Sequence, residues 1–278
     1  MKIDPRTSEK IAKVLIWTAA LFVLGVLVAI VIYVLYQGLP MINWSFLTEI
    51  PHDMGRSGGI SSTIVGTLLV ASVAVTIAVP FGIGTAFYLA EYTRENIVTR
   101  VIRFSAESLA GIPSIIYGLF GFIFFVIYMD MGWSVLAGGL TLALMILPTI
   151  IRTSEEAILA VPHTYREVSF SLGGTKWQTI RKAVFPSAIQ GIVNGVILGI
   201  GRCVAETAAV MLTAGGVLRM ASSIFSPTRT MAVHFYILAS EGISMANAYG
   251  TAALLIILIF LINVVSNALV NKFMAKSR

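Results

Sequence analysis

The chain has 278 residues, of which 57% are hydrophobic and 12% charged, with a mean hydropathy of +0.90. A soluble domain carries about 25% charged residues, so the composition excludes an ordinary soluble enzyme, a disordered chain and a secreted disulfide scaffold. The net charge is +6, yet no Lys/Arg run has the density of a nucleic-acid patch, and no nucleic-acid partner is expected.

Crossing a hydrocarbon core about 30 Å thick takes roughly 20 apolar residues. Uncharged stretches of that length run over 14–48, 57–90, 108–129 and 131–151, and apolar segments follow from 187 and within 242–271. Helices are therefore expected near 14–36, 61–90, 108–128, 132–151, 187–213 and 250–271, an all-α polytopic bundle of six transmembrane helices. The first run is too long for a signal-peptide core and is expected to persist as an anchor. The expected organisation is an anchor helix with its loop (1–60) and a transmembrane core (61–273). Pro80, Pro113 and Pro148 are expected to kink their spans. The turn-rich loop 37–60 and the interrupted segment 214–249 are expected outside, with a short interfacial helix over 230–240.

Fifteen Lys and Arg fall in the tails and alternate loops on one side, against Arg56, Arg219 and Arg229 on the other. The positive-inside rule then predicts both termini in the cytoplasm and explains the basic charge as a topology signal facing lipid headgroups.

The segment 152–186 on that cytoplasmic side is too long for a plain connection. An amphipathic stretch opens at Glu167, Gly173 and Gly174 break it, and a second runs to Pro186 at the start of the fifth span. Helix, glycine turn and helix make a compact knob that invites a soluble partner.

Few residues carry chemistry. Arg202 and Glu206 lie four apart on the predicted fifth helix, hence on one face. A charge at membrane depth costs at least ~2.5 kcal/mol and usually faces a cavity or a partner. The two side chains could neutralise each other as a structural ion pair. Alternatively, the planar fork of Arg202 could receive a tetrahedral oxyanion while Glu206 holds it in the empty state. Arg152 at the end of the fourth span either snorkels to headgroups or forms a second anion station. Glu155 and Glu156 are expected as solvated loop charges. Gly191, Gly195 and Gly199 form a small-residue stripe for close helix packing.

No metal site is expected, because Cys203 is the sole cysteine and His52, His163 and His234 are scattered. Neither a P-loop, a nucleophile elbow nor a metalloprotease motif occurs. The chain is expected to be non-catalytic and to bind no cofactor of its own.

Glu167, Gly173 and Pro186 are spaced as in the cytoplasmic signature of ABC importer permeases, Glu-Ala-Ala, then Gly, then Leu-Pro. Val168, Ser169 and Phe185 depart from that pattern. Together with Ala110 through Gly118, Phe46 through Glu49, Gly58 through Ile60, Gly66-Thr67 and Arg202 through Ala208, the chain resembles the phosphate-specific A-type permeases. The resemblance implies a type I importer permease in a bacterial inner membrane, with 152–186 docking on the ATPase. Its implied partners are a related C-type permease, two ATP-binding subunits that use ATP and Mg, and an extracytoplasmic phosphate-binding protein. A permease for sulfate, molybdate or phosphonate would share the loop signature. A secondary transporter would need inverted repeats and coupling carboxylates, and no clear repeat is seen. A membrane enzyme lacks a catalytic constellation.

Overall fold

A computed structural model describes residues 5–93 and 96–277. Lys2, Arg94 and Arg278, three members of the charge count, lie outside the described residues.

The first helix, α1 (Pro5–Gly38), is uncharged from Val14 onward, and none of its most apolar stretch is buried. It rests on the last helix, α12 (Met245–Ser277), where Gly38 lies against the Tyr249 carbonyl and Ala253 and the Tyr33 and Tyr249 rings meet edge to face. The loop 37–60 folds more than its turn content suggests. A short α2 (Trp44–Thr48), capped by Asn43, leads into a two-residue hairpin of β1 (Pro51–His52) and β2 (Ser57–Gly58).

Three long helices make the core. These are α3 (Ser61–Phe87), α6 (Val135–Leu159) and α9 (Phe185–Ala205). Alanines at 71, 74 and 78 let α3 lie close to α6, and Leu142, Met145, Ile146 and Ile150 fill the seam. On the other side of α6, the glycine stripe of α9 makes an antiparallel ladder. Gly191 meets Ala157, Gly195 meets Thr153, and Gly199 meets Ile150. Lipid offers no hydrophobic drive for association, so close contact of this kind holds the helices together. The stripe is thus used inside the chain. Pro80 and Pro148 sit within unbroken helices.

Four expectations need correction. The third span starts earlier than 108 and is broken rather than merely kinked at Pro113: α4 (Ile97–Ala110) meets α5 (Ser114–Gly121), with its wide-turn extension Phe122–Tyr128, at 102°. Pro113 forces the break, because it cannot donate to the helix and holds an extended ψ of 140°. Among the described residues five helices are long and apolar enough to cross a membrane, and a sixth crossing is reached only if this bent pair counts as one span.

The fifth span starts earlier and ends earlier than expected. α8 (Lys176–Thr179) runs through a π turn (Ile180–Val184) into α9 without interruption, and the slipped ladder accommodates Pro186. The helix then stops at Ala205, where Glu206 is extended, and a separate α10 (Ala208–Thr213) follows.

The knob helix α7 (His163–Ser171) opens at Pro162, so Glu167 lies in its middle rather than at its start. Finally, the short helix expected over 230–240 is present as α11 (Met231–Ser240), but one face is buried rather than peripheral: Met231, Val233, His234 and Leu238 are buried and it packs on α12.

Candidate functional site

Arg202 lies in the last turn of α9 and is half-buried. Continuing the glycine ladder sets it about level with Met145 and Ile146, near the middle of the long helix α6. Among the described residues its guanidinium has no hydrogen bond and no ion pair. Cys203 beside it is buried. Gly201 next to Arg202 faces open space.

The expected pairing of Arg202 with Glu206 is not formed. Because the helix ends at Ala205, the two are not on one helical face. The Glu206 carboxylate instead accepts the Ala209 N–H at 3.3 Å, capping the first turn of α10. The break leaves backbone carbonyls at the end of α9 without helical partners at bundle mid-depth. Irregular backbone at that depth is tolerated only inside protein or along a water-filled path. An unpaired guanidinium beside such a break can offer two parallel N–H donors to an anion.

Arg152 is differently placed. It lies on α6, with Nε 3.1 Å from Glu156 and Nη1 3.9 Å from Glu107, and is well exposed. Glu155 and Glu156 are helical, not loop residues, and Glu155 is buried where Arg103 reaches it at 2.8 Å through both Nε and Nη2. These five charges line a cavity of about 550 Å³ between the end of α3, α4 and α6. Three carboxylates against two arginines make it a poor resting place for an anion, and Arg152 is already engaged.

The knob is built by local bonds. Gly173 holds φ +77° with nothing near it, a left-handed conformation that closes α7 at little cost for glycine and that asparagine also tolerates. Gly174 is close-packed instead: a Cβ there would meet the Ser169 carbonyl at 2.7 Å. The Ser169 and Thr179 hydroxyls bond at 2.8 Å, and Thr175 with Gln178 forms a capping box that starts α8. Glu167 is exposed, alongside exposed Val168, Phe170 and Leu172, the last 84% accessible. Apolar side chains thus stand exposed on a polar knob outside the long apolar helices. Pro186 lies on the continuous helix behind the knob.

The sequence reading did not find the Arg103–Glu155 pair, the Arg166–Glu91 pair (2.6 Å) or the break at Glu206. The Arg152–Glu156 pair was legible as an i, i+4 spacing once the helix is extended to Leu159.

Residues 78–278 match the family described as binding-protein-dependent transport system inner membrane component. A relative from Bacillus subtilis, "Probable ABC transporter permease protein YqgI", is 30% identical over 94% of each chain. The "Phosphate transport system permease protein PstA" of Mycobacterium leprae is 33% identical over all of this chain and 93% of its own. The fold is shared with a bacterial ABC transporter involved in import of the acidic polysaccharide alginate (TM-score 0.66, 13% identity, 96% of each chain). It is also shared with the MetNI methionine ABC transporter in inward-facing form (TM-score 0.63, 21% identity, 77% of this chain and 95% of that one). With family match, relatives and fold in agreement, this chain belongs to the binding-protein-dependent transport system inner membrane components.

Proposed function

We propose that this chain is the A-type permease subunit of an ATP-driven importer that carries inorganic phosphate into the cytoplasm. The observation that carries the reading is Arg202, an unpaired guanidinium at bundle mid-depth beside a broken helix. A phosphate ion bears one to two negative charges, and a path without a cation would exclude it. The planar fork of arginine matches two phosphate oxygens at once. Relatives named as phosphate transport permeases support phosphate over other oxyanions.

In this reading both termini lie in the cytoplasm of a bacterial-type inner membrane, as the charge asymmetry predicts. A C-type permease completes the path, an extracytoplasmic binding protein delivers phosphate, and two ATPase subunits bind the knobs around Glu167. ATP and Mg act in those subunits; this chain performs no covalent chemistry and holds no cofactor. Closure of the ATPases displaces the knobs and swings the bundle between inward- and outward-facing states. Arg202 acts as a transient station. Because Glu206 is occupied with α10, release depends on hydration of the path rather than on a competing carboxylate.

The test is co-expression of the tagged chain with the three expected partner types, identification of what co-purifies, and uptake of labelled phosphate into vesicles. Uptake that needs ATP and is competed by phosphate, but not by sulfate, molybdate or phosphonate, supports the reading. Preferential competition by one of those anions would reassign the substrate, and transport by the isolated chain would overturn the importer.

A further inference from the structure

Arg166 precedes Glu167 on α7, yet it points away from the exposed face. Its side chain is 12% exposed and that of Glu91 is 8% exposed. Glu91 belongs to the π turn Tyr88–Tyr92 that ends α3. Arg166 Nε and Nη2 both donate to Glu91 Oε1, at 2.9 and 2.6 Å. Nη1 also donates to the Val161 carbonyl at 2.8 Å, and Nη2 to the Ile158 carbonyl at 3.0 Å.

One guanidinium therefore ties three elements. It clamps the end of α3 through Glu91, satisfies one carbonyl in the last turn of α6 (Ile158) and one just beyond it (Val161), and belongs to the knob. Behind it an apolar cluster of Ala86, Ile158, Val161, Val184, Ala188 and Ile192 joins α3, α6 and α9. Surface ion pairs contribute little, but a buried pair that loses one partner leaves an uncompensated charge. Elsewhere α7 is tied to α8 by the Ser169–Thr179 bond, while Val168 and Leu172 are exposed.

We infer that Arg166 and Glu91 form a latch that makes α7 move as one body with the adjoining ends of α3 and α6, so that displacement of the knob passes into the bundle at this point. The inference rests on the proposed importer reading, in which the knob is driven by an ATPase. Arg166 is a positioning residue here: it touches neither phosphate nor nucleotide. Its fork makes four bonds in three directions, and lysine cannot reproduce that geometry.

The assembled complex is reconstituted in vesicles, and phosphate moved per ATP hydrolysed is measured for the parent, Glu91→Gln, Arg166→Met and Arg166→Lys. In parallel, spin labels at His163→Cys on α7 and Tyr88→Cys at the end of α3, in a Cys203→Ser background, report one distance with and without trapped ATP. The latch predicts a parent distance that stays the same in both nucleotide states. In Glu91→Gln the distance should broaden, and phosphate per ATP should fall about tenfold while hydrolysis continues. Arg166→Lys should recover only part of that loss. A parent distance that shifts with nucleotide overturns the latch, and this measurement does not require Glu91→Gln to assemble. Unchanged phosphate per ATP in an assembled Glu91→Gln complex overturns it as well. A parent complex that hydrolyses ATP without moving phosphate would instead strike the importer reading.

Discussion

The α6–α9 ladder permits a graded test of how tightly the core is built. Alanine in place of a helical glycine gains about 1 kcal/mol of helix propensity, and excess volume in a packed seam costs about 1–3 kcal/mol. At Gly199 a new methyl would find Ile150 at 3.4 Å, an ordinary contact, so the propensity gain should dominate. At Gly195 it would drive into the Thr153 side chain, whose Oγ1 is pinned to the Thr149 carbonyl at 2.8 Å. The helices must part there, and with the propensity gain common to both variants Gly195→Ala should be less stable than Gly199→Ala by about 1–3 kcal/mol. Gly191 is crowded by Ala157 alone. Gly191→Ala should therefore be destabilised, and Ala157→Gly added to it should restore the parent by moving one methyl across the seam. Heating purified complex in detergent and measuring the intact fraction by size exclusion gives the midpoints. If Gly195→Ala melts as high as Gly199→Ala, or if the exchange at 191 and 157 fails to recover, the close ladder is wrong.

Other consequences are separately measurable. In a Cys203→Ser background, Ser57→Cys should react with an impermeant maleimide in intact cells, whereas Thr175→Cys should react only after the cytoplasmic side is opened; the reverse pattern would invert the topology. Because Gly173 needs its positive φ but has open space, Gly173→Asn should keep coupling and Gly173→Val should lose it. Gly174→Ala should uncouple more than Gly173→Asn by displacing Ser169 from Thr179, read as phosphate moved per ATP. Burial and the neighbouring Arg229 push His234 in the non-spanning α11 down to about 4 from the usual 6.5. His234 thus stays neutral in the fold, and its contribution is complete above pH 6.5 and lost as pH falls toward 4. Amide exchange in α11 should accelerate between pH 6.5 and 4, and His234→Gln should flatten that dependence; a pH-independent parent would contradict it.

What the sequence disclosed follows from how local each signal is. The spans were legible because charges are absent for twenty residues at a time, and the knob because Glu167, Gly173 and Pro186 keep a fixed spacing. The glycine stripe was legible as packing, but only the structure names Ala157, Thr153 and Ile150 as its partners. Pro113 announced a kink without its 102° size. The break after Ala205 had no such marker, since Arg202 through Ala209 contains no proline or glycine to announce it. Glu206 capping Ala209 was hidden by the assumption of a continuous helix. The ion pairs Arg103–Glu155 and Arg166–Glu91 join residues 52 and 75 positions apart, and no periodicity reports such distances.

The central claim is that Arg202 meets the anion, and uptake of labelled phosphate per assembled complex tests it most directly. An unpaired charge at mid-depth costs at least ~2.5 kcal/mol, so alanine at 202 should leave assembly intact or improved while uptake is abolished. Arg202→Lys should recover little, because an ammonium lacks the fork. Since Glu206 caps α10 rather than pairing with Arg202, adding Glu206→Ala should not rescue Arg202→Ala. Near-normal phosphate uptake by Arg202→Ala, alone or with Glu206→Ala, would contradict the account and assign Arg202 to structure.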